Sequence, residues 1–122
     1  MDAFLVDDQF AKLAPHRDDF AHFFAADRLS LTVVRWLAGT VDDQTPHAED
    51  EVYYVVRGRA RITVGGQSGP VGPGSIVYVA AGVGHRFHDI AADLEVLVFW
   101  APPRGVPADA QPTPTSTTTN DP

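Results

Sequence analysis

Arg59-Ala60-Arg61-Ile62-Thr63-Val64-Gly65-Gly66 is the stretch whose reading decides the fold. Ala60, Ile62 and Val64 fall on one side of an extended chain, Arg59, Arg61 and Thr63 on the other. That alternation belongs to a strand packed on one face and wet on the other. The two glycines after it read as a hairpin turn. Outward from there, Val52-Tyr53-Tyr54-Val55-Val56 and Leu29 to Ala38 are rich in β-branched and large apolar residues. Further strands are predicted at Ser75 to Val79, His85 to His88 and Leu94 to Trp100, with Gly72-Pro73-Gly74 and Ala81-Gly82 at the joints. Short strands at this spacing indicate an all-β sandwich or barrel. No helical periodicity follows residue 30, and no buried helix is expected. In the first 28 residues, Phe20, Phe23 and Phe24 suit a helix, while Phe20, His22 and Phe24 suit a strand that turns at Ala26-Asp27-Arg28 into the next; the strand is the preferred reading.

The chain has 122 residues, 44% of them hydrophobic, which suits one core rather than two. Nine basic residues against sixteen acidic ones give a net charge of −7. Lys12 is the single lysine and the arginines are scattered, so the clustered basic face that nucleic acid requires is missing. No cysteine is present, which excludes a disulfide framework, a thiolate zinc site and a thiol nucleophile. No apolar run approaches the roughly 18 residues of a bilayer span. Met1-Asp2-Ala3-Phe4 lacks the basic start of a secretory signal, and the chain reads as soluble and cytoplasmic with no membrane partner. From Ala101 onward the chain carries six of its ten prolines and five threonines but no aromatic residue. Such a segment buries too little to offset its ordering entropy and is expected to be a flexible tail.

The chemistry lies with the histidines. His47 stands in Gln44-Thr45-Pro46-His47-Ala48-Glu49-Asp50-Glu51. On an extended segment Thr45, His47 and, allowing for a turn, Glu51 share a face, whereas Gln44 points away. His85 opens a later strand after Ala81-Gly82-Val83-Gly84. Two imidazoles and a carboxylate suit a divalent first-row metal, with coordination positions left over. Tyr53 shares the parity of Glu51, and Phe87 that of His85; each is either core or pocket wall. Glu49 and Asp50 read as solvated loop carboxylates and His88 as outward-facing. His16 and His22 read as surface or packing residues, and Trp36 and Trp100 as packing residues.

At these positions the sequence resembles the cupin family. Gly39, His47, Glu51 and Gly58 fit the spacing of its first motif, with Thr45 where the first histidine normally stands. Gly74, Gly82 and His85 fit its second motif, with Ala80 in place of a proline and Asp89 in place of an asparagine. The resemblance implies an all-β fold, a single-domain jelly-roll β-barrel. Residues 29–100 would form the barrel, with 1–28 an extension packed on it or on a dimer partner and 101–122 the Pro/Thr-rich tail. It also implies that His47, Glu51 and His85 bind one divalent ion, whether iron, manganese, nickel, copper or zinc. Glu51 would double as the catalytic group. Thr45, Tyr53 and Phe87 would contact a small-molecule substrate, and the protein would form a homodimer.

Such a site suits dioxygenase-, isomerase- or decarboxylase-like chemistry. The missing imidazole keeps open a second reading, a non-catalytic small-molecule binder with a degenerate metal site. A third is a purely structural barrel.

Overall fold

The structure, a computed structural model, describes residues 1–104. A short helix α1 (Val6–Ala11) precedes strands β1 (Asp19–Ala25), β2 (Ser30–Trp36), β3 (Asp50–Val64), β4 (Gln67–Val71), β5 (Ile76–Val79) and β6 (His85–Ala101). All strand pairs are antiparallel. The sheet runs β1-β2-β6-β3-β4, and β5 pairs with β3. The strands expected at 29–38 and 20–25 are present, as are the turn at residues 26–29 and the hairpin at Gly65-Gly66. The all-β reading stands.

Two expected breaks are absent, and the reason is a change of phase. In β3 the buried side chains are Glu51, Tyr53 and Val55, then Ala60 and Ile62. The inward parity passes from odd to even without the strand ending. The register against β6 slips between Val55 and Arg61, as a β-bulge does when it inserts an extra residue. Gly58 lies inside this stretch at φ +98°. In β6, His85 and Phe87 face inward, then Ile90, Leu94, Val96, Val98 and Trp100. There Asp89, at φ 50°, marks the change. Each pair of predicted short strands is therefore one long strand that bends.

Bending lets one sheet wrap its own apolar face. Trp36, Tyr53, Val55, Ile62, Val79, Phe87, Leu94, Val96, Val98 and Trp100 form one buried cluster, with Phe20 of β1 packed against it. Helix α1 lies on the surface of the sheet, with Gln9 and Phe10 its buried residues. Phe10 and Leu13 are buried with Val33 on the sheet's outer face, beside Leu97 and Val56. Asp7 and Asp8 in the first turn favour the helix N-terminus, a signal the strand-based reading passed over. The Arg35 guanidinium donates to the carbonyls of Ala14 and, at longer range, Phe10, fixing the chain just after the helix. Phe10→Ala is expected to cost about 3 kcal/mol by the usual cavity penalty, read as a lower urea midpoint with an unchanged m-value.

Beyond β6 the chain stays attached. Pro103 is buried, and the Arg104 amide donates to Ser30 Oγ at 2.8 Å. The expected flexible tail otherwise lies outside the described residues.

Candidate metal centre

His47 precedes β3, Glu51 is near the start of β3, and His85 opens β6. Glu51 pairs with Val79, the last residue of β5, and the short connection 80–84 leads from there into His85. Two hydrogen bonds lock the loops together. The Gly82 amide donates to the His47 carbonyl at 2.7 Å, and the Ala81 amide donates to Asp50 Oδ1 at 2.8 Å. Gly82 sits at φ +79°, a conformation that suits glycine and turns the chain into this bond.

The result is a buried cluster in which ligand atoms of His47, Glu51 and His85 all lie within 4.8 Å of one another. His85 Nε2 is 3.1 Å and His47 Nε2 is 3.7 Å from Glu51 Oε2. His85 Nδ1 donates to the Val83 carbonyl at 2.8 Å, which directs the Nε2 lone pair inward. Its approach to Glu51 lacks hydrogen-bond alignment: His85 Nε2 and both Glu51 oxygens are buried without a partner. Lone-pair-bearing atoms this close together in a buried cluster suit a cation shared between them. Adjacent donors about 2.1 Å from one ion lie about 3 Å apart, so the spacing fits a shared divalent metal. The residues fit the ion the resemblance implies.

The walls are aromatic. Tyr53 packs edge-on against Phe87, with ring centroids 4.9 Å apart, and lies 6.0 Å from His85. Trp100 meets His47 edge to face at 5.0 Å, while its Nε1 donates to Thr32 Oγ1 at 2.8 Å. The Arg104 guanidinium lies 4.9 Å over the Trp100 ring. Burial, helped by the charges of Glu51 and Asp42, pushes the Tyr53 phenol well above its ordinary pKa and keeps it protonated.

Three readings from the sequence change here. Thr45 is exposed rather than turned into the buried cluster. Gln44, expected to point away, is buried instead, and its Oε1 lies 2.8 Å from His47 Nε2. The cause is that residues 37–49 form no strand, so the alternation used to orient them does not apply. Glu49 is not a solvated carboxylate but is buried, paired with Arg104 at 3.2 Å. Asp50 is exposed, and His88 leans out toward Thr63 and Asp89. Asp42 went unnoticed in the sequence, where nothing distinguishes it from Asp43; its site role is visible only in the fold.

Protons compete for this cluster unequally. Burial, then the positive charges of Arg104 and His85, lowers the His47 pKa from 6.5 to about 3. For His85 burial opposes the charged form, but the Glu51 carboxylate and Val83 carbonyl outweigh it and the pKa is raised. Metal affinity is therefore expected to start weakening above the ordinary histidine pKa as pH falls, because His85 holds its proton there. The unfolded chain protonates His47 near pH 6.5 and the folded chain near 3, so acid in that window favours unfolding. The metal-free protein should lose more stability between about pH 6.5 and pH 4 than His47→Gln does, as measured by urea midpoints.

Residues 32–101 match the cupin domain family, and the chain belongs to it. It is 48% identical to an uncharacterised protein of Streptomyces coelicolor over 103 residues, 84% of this chain and 98% of that one. TT1209 from Thermus thermophilus superposes with a TM-score of 0.71 at 23% identity, over 85% of this chain and 100% of that one. DMSP lyase DddQ from Ruegeria pomeroyi gives 0.65 at 25% identity, over 74% of this chain and 51% of that one. Among the described residues, no helix is long and apolar enough to cross a membrane.

Proposed function

We propose that this protein is a small jelly-roll enzyme of the cytoplasm. It would hold one divalent metal ion through His47, Glu51 and His85 and act on a small organic molecule in the interior. The observation that carries the proposal is the set of buried, partnerless ligand atoms on Glu51 and His85. A bound ion supplies the positive charge that polarises a carbonyl or stabilises an enolate. The side chains account for the rest. His85, held by Val83, keeps its Nε2 turned inward. Glu51 Oε1, buried and free, is the atom placed to take a proton from the substrate and return it. The Tyr53 hydroxyl is available to donate to a developing oxyanion. Phe87 and Trp100 exclude water from that end of the interior. Isomerisation, decarboxylation and dioxygenation of a chelating substrate all draw on such groups. DddQ, named as a lyase, lends support to the enzyme reading.

The exposed position of Thr45 and the Gln44–His47 hydrogen bond favour a second reading, a binder without turnover. Offering the protein, loaded in turn with Fe²⁺, Mn²⁺, Ni²⁺ and Zn²⁺, a panel of small hydroxy and oxo acids separates the two. Product formation that disappears in Glu51→Gln supports the enzyme. Saturable binding without product supports the binder, and neither result with any metal contradicts both.

The homodimer belongs to the same proposal. Tyr54, Ile76, Tyr78 and Phe99 stay exposed on the outer face of β3, β5 and β6, where a second copy would cover them. Light scattering at the monomer mass would contradict it.

A further inference from the structure

Gln44 occupies a place the motif pattern does not assign. Its Nε2 donates to Asp42 Oδ2 at 2.7 Å, and its amide nitrogen donates to Asp42 Oδ1 at 3.1 Å. A carboxylate accepts and does not donate, so Asp42 dictates which end of the Gln44 amide is which. The carbonyl Oε1 is left facing inward, 2.8 Å from His47 Nε2. Asp42 is itself held, because Oδ2 also accepts from the Phe87 amide at 2.9 Å. Phe87 lies two residues beyond His85 on β6, so the carboxylate that aims Gln44 is tied to the strand that carries His85.

We infer that Gln44 Oε1 is the fourth protein donor to the metal ion, doing the work of the imidazole missing at Thr45, with Asp42 as its positioning residue. The inference rests on the metal reading above. The 2.8 Å separation from His47 Nε2 matches the roughly 3 Å expected of neighbouring donors on one ion. In the tautomer with the ring proton on His47 Nδ1, Nε2 and Gln44 Oε1 are adjacent lone-pair donors. A neutral amide oxygen is a harder ligand than imidazole, which moves the site's preference toward oxygen-seeking ions such as Mn²⁺ and away from Cu²⁺ and Zn²⁺.

Calorimetric titration of metal-free protein with Mn²⁺ and Zn²⁺ tests this without any assay of turnover. Gln44→Leu, which removes the oxygen and keeps the bulk, should weaken Mn²⁺ by about tenfold or more and Zn²⁺ by less. Gln44→Glu should retain or tighten Mn²⁺, and Asp42→Asn should fall between Gln44→Leu and the native protein. Native protein that binds Mn²⁺ while Gln44→Leu binds it equally well overturns the inference and leaves the three-residue site standing. Native protein that binds neither ion removes the metal reading itself. If Gln44→Leu does not fold, judged by circular dichroism, Gln44→Glu decides: weaker Mn²⁺ binding than native overturns the inference.

Discussion

Gly58→Ala is expected to leave the protein largely unfolded at room temperature. A Cβ at this position would sit 2.3 Å from the Asp93 carbonyl oxygen and 2.7 Å from Leu94 Cα. Both atoms are backbone of β6, the strand paired along the length of β3, so neither side has room to yield. The residue also lies at φ +98°, where an L side chain is strained before any contact is counted. Strain and clash together should exceed about 4 kcal/mol, most of the stability of a typical small domain. Gly74 is the control. It has φ +90° but nothing within 4 Å of where a methyl would stand, so Gly74→Ala should cost about 1–2 kcal/mol, the conformational penalty alone. Thermal melts of the two variants make the comparison. A Gly58→Ala protein within about 1 kcal/mol of native would mean that the close crossing of β3 and β6 at this point is wrong.

That crossing also shows where the sequence could be read and where it could not. Val52–Val56 is a continuous apolar run and Arg59–Val64 alternates, so both strands were legible, and in the second the buried face as well. What local alternation cannot reveal is that two runs of opposite phase belong to one strand, because the extra residue that reconciles them is defined against the partner, β6. The same applies to His85–Phe87 and Leu94–Trp100 on either side of Asp89. Helix α1 escaped because it is only six residues long: Val6 and Phe10 within it, and Leu13 just beyond, make a helical spacing too short to stand out from the apolar residues around it.

The site divides in the same way. His47, Glu51 and His85 were legible through their match to the cupin motifs, and the fold brings them together. Gln44, Asp42 and Glu49 were not, because they lie on an unpaired segment whose side chains are oriented by hydrogen bonds rather than by pleat. Trp100 and Arg104 come from the last of the described residues, and the stacking of Arg104 on Trp100 and of Trp100 against His47 is a tertiary fact.

The largest functional effect is expected from removing a metal ligand. His85→Ala removes the imidazole that faces Glu51 across the site at 3.1 Å, so the remaining donors, His47 and Glu51 with Gln44 beside them, enclose an ion from one side only. It also removes the imidazole that balances the Glu51 charge. Even so, the variant should fold, since His85 opens β6 and the core beneath it is built from Tyr53, Phe87 and the valines of β6. His47→Ala should lose the ion for the same reason while keeping the Trp100 bond to Thr32.

Stoichiometric binding of a divalent ion is the measurement that bears most directly on the account. Untagged protein should be stripped with chelator, then titrated with Mn²⁺, Fe²⁺ and Zn²⁺ beside His47→Ala and His85→Ala, with bound metal counted by mass spectrometry. The account predicts one ion per native chain for at least one of these metals and background levels for both variants. Native protein at background with all three, indistinguishable from His47→Ala, would contradict it.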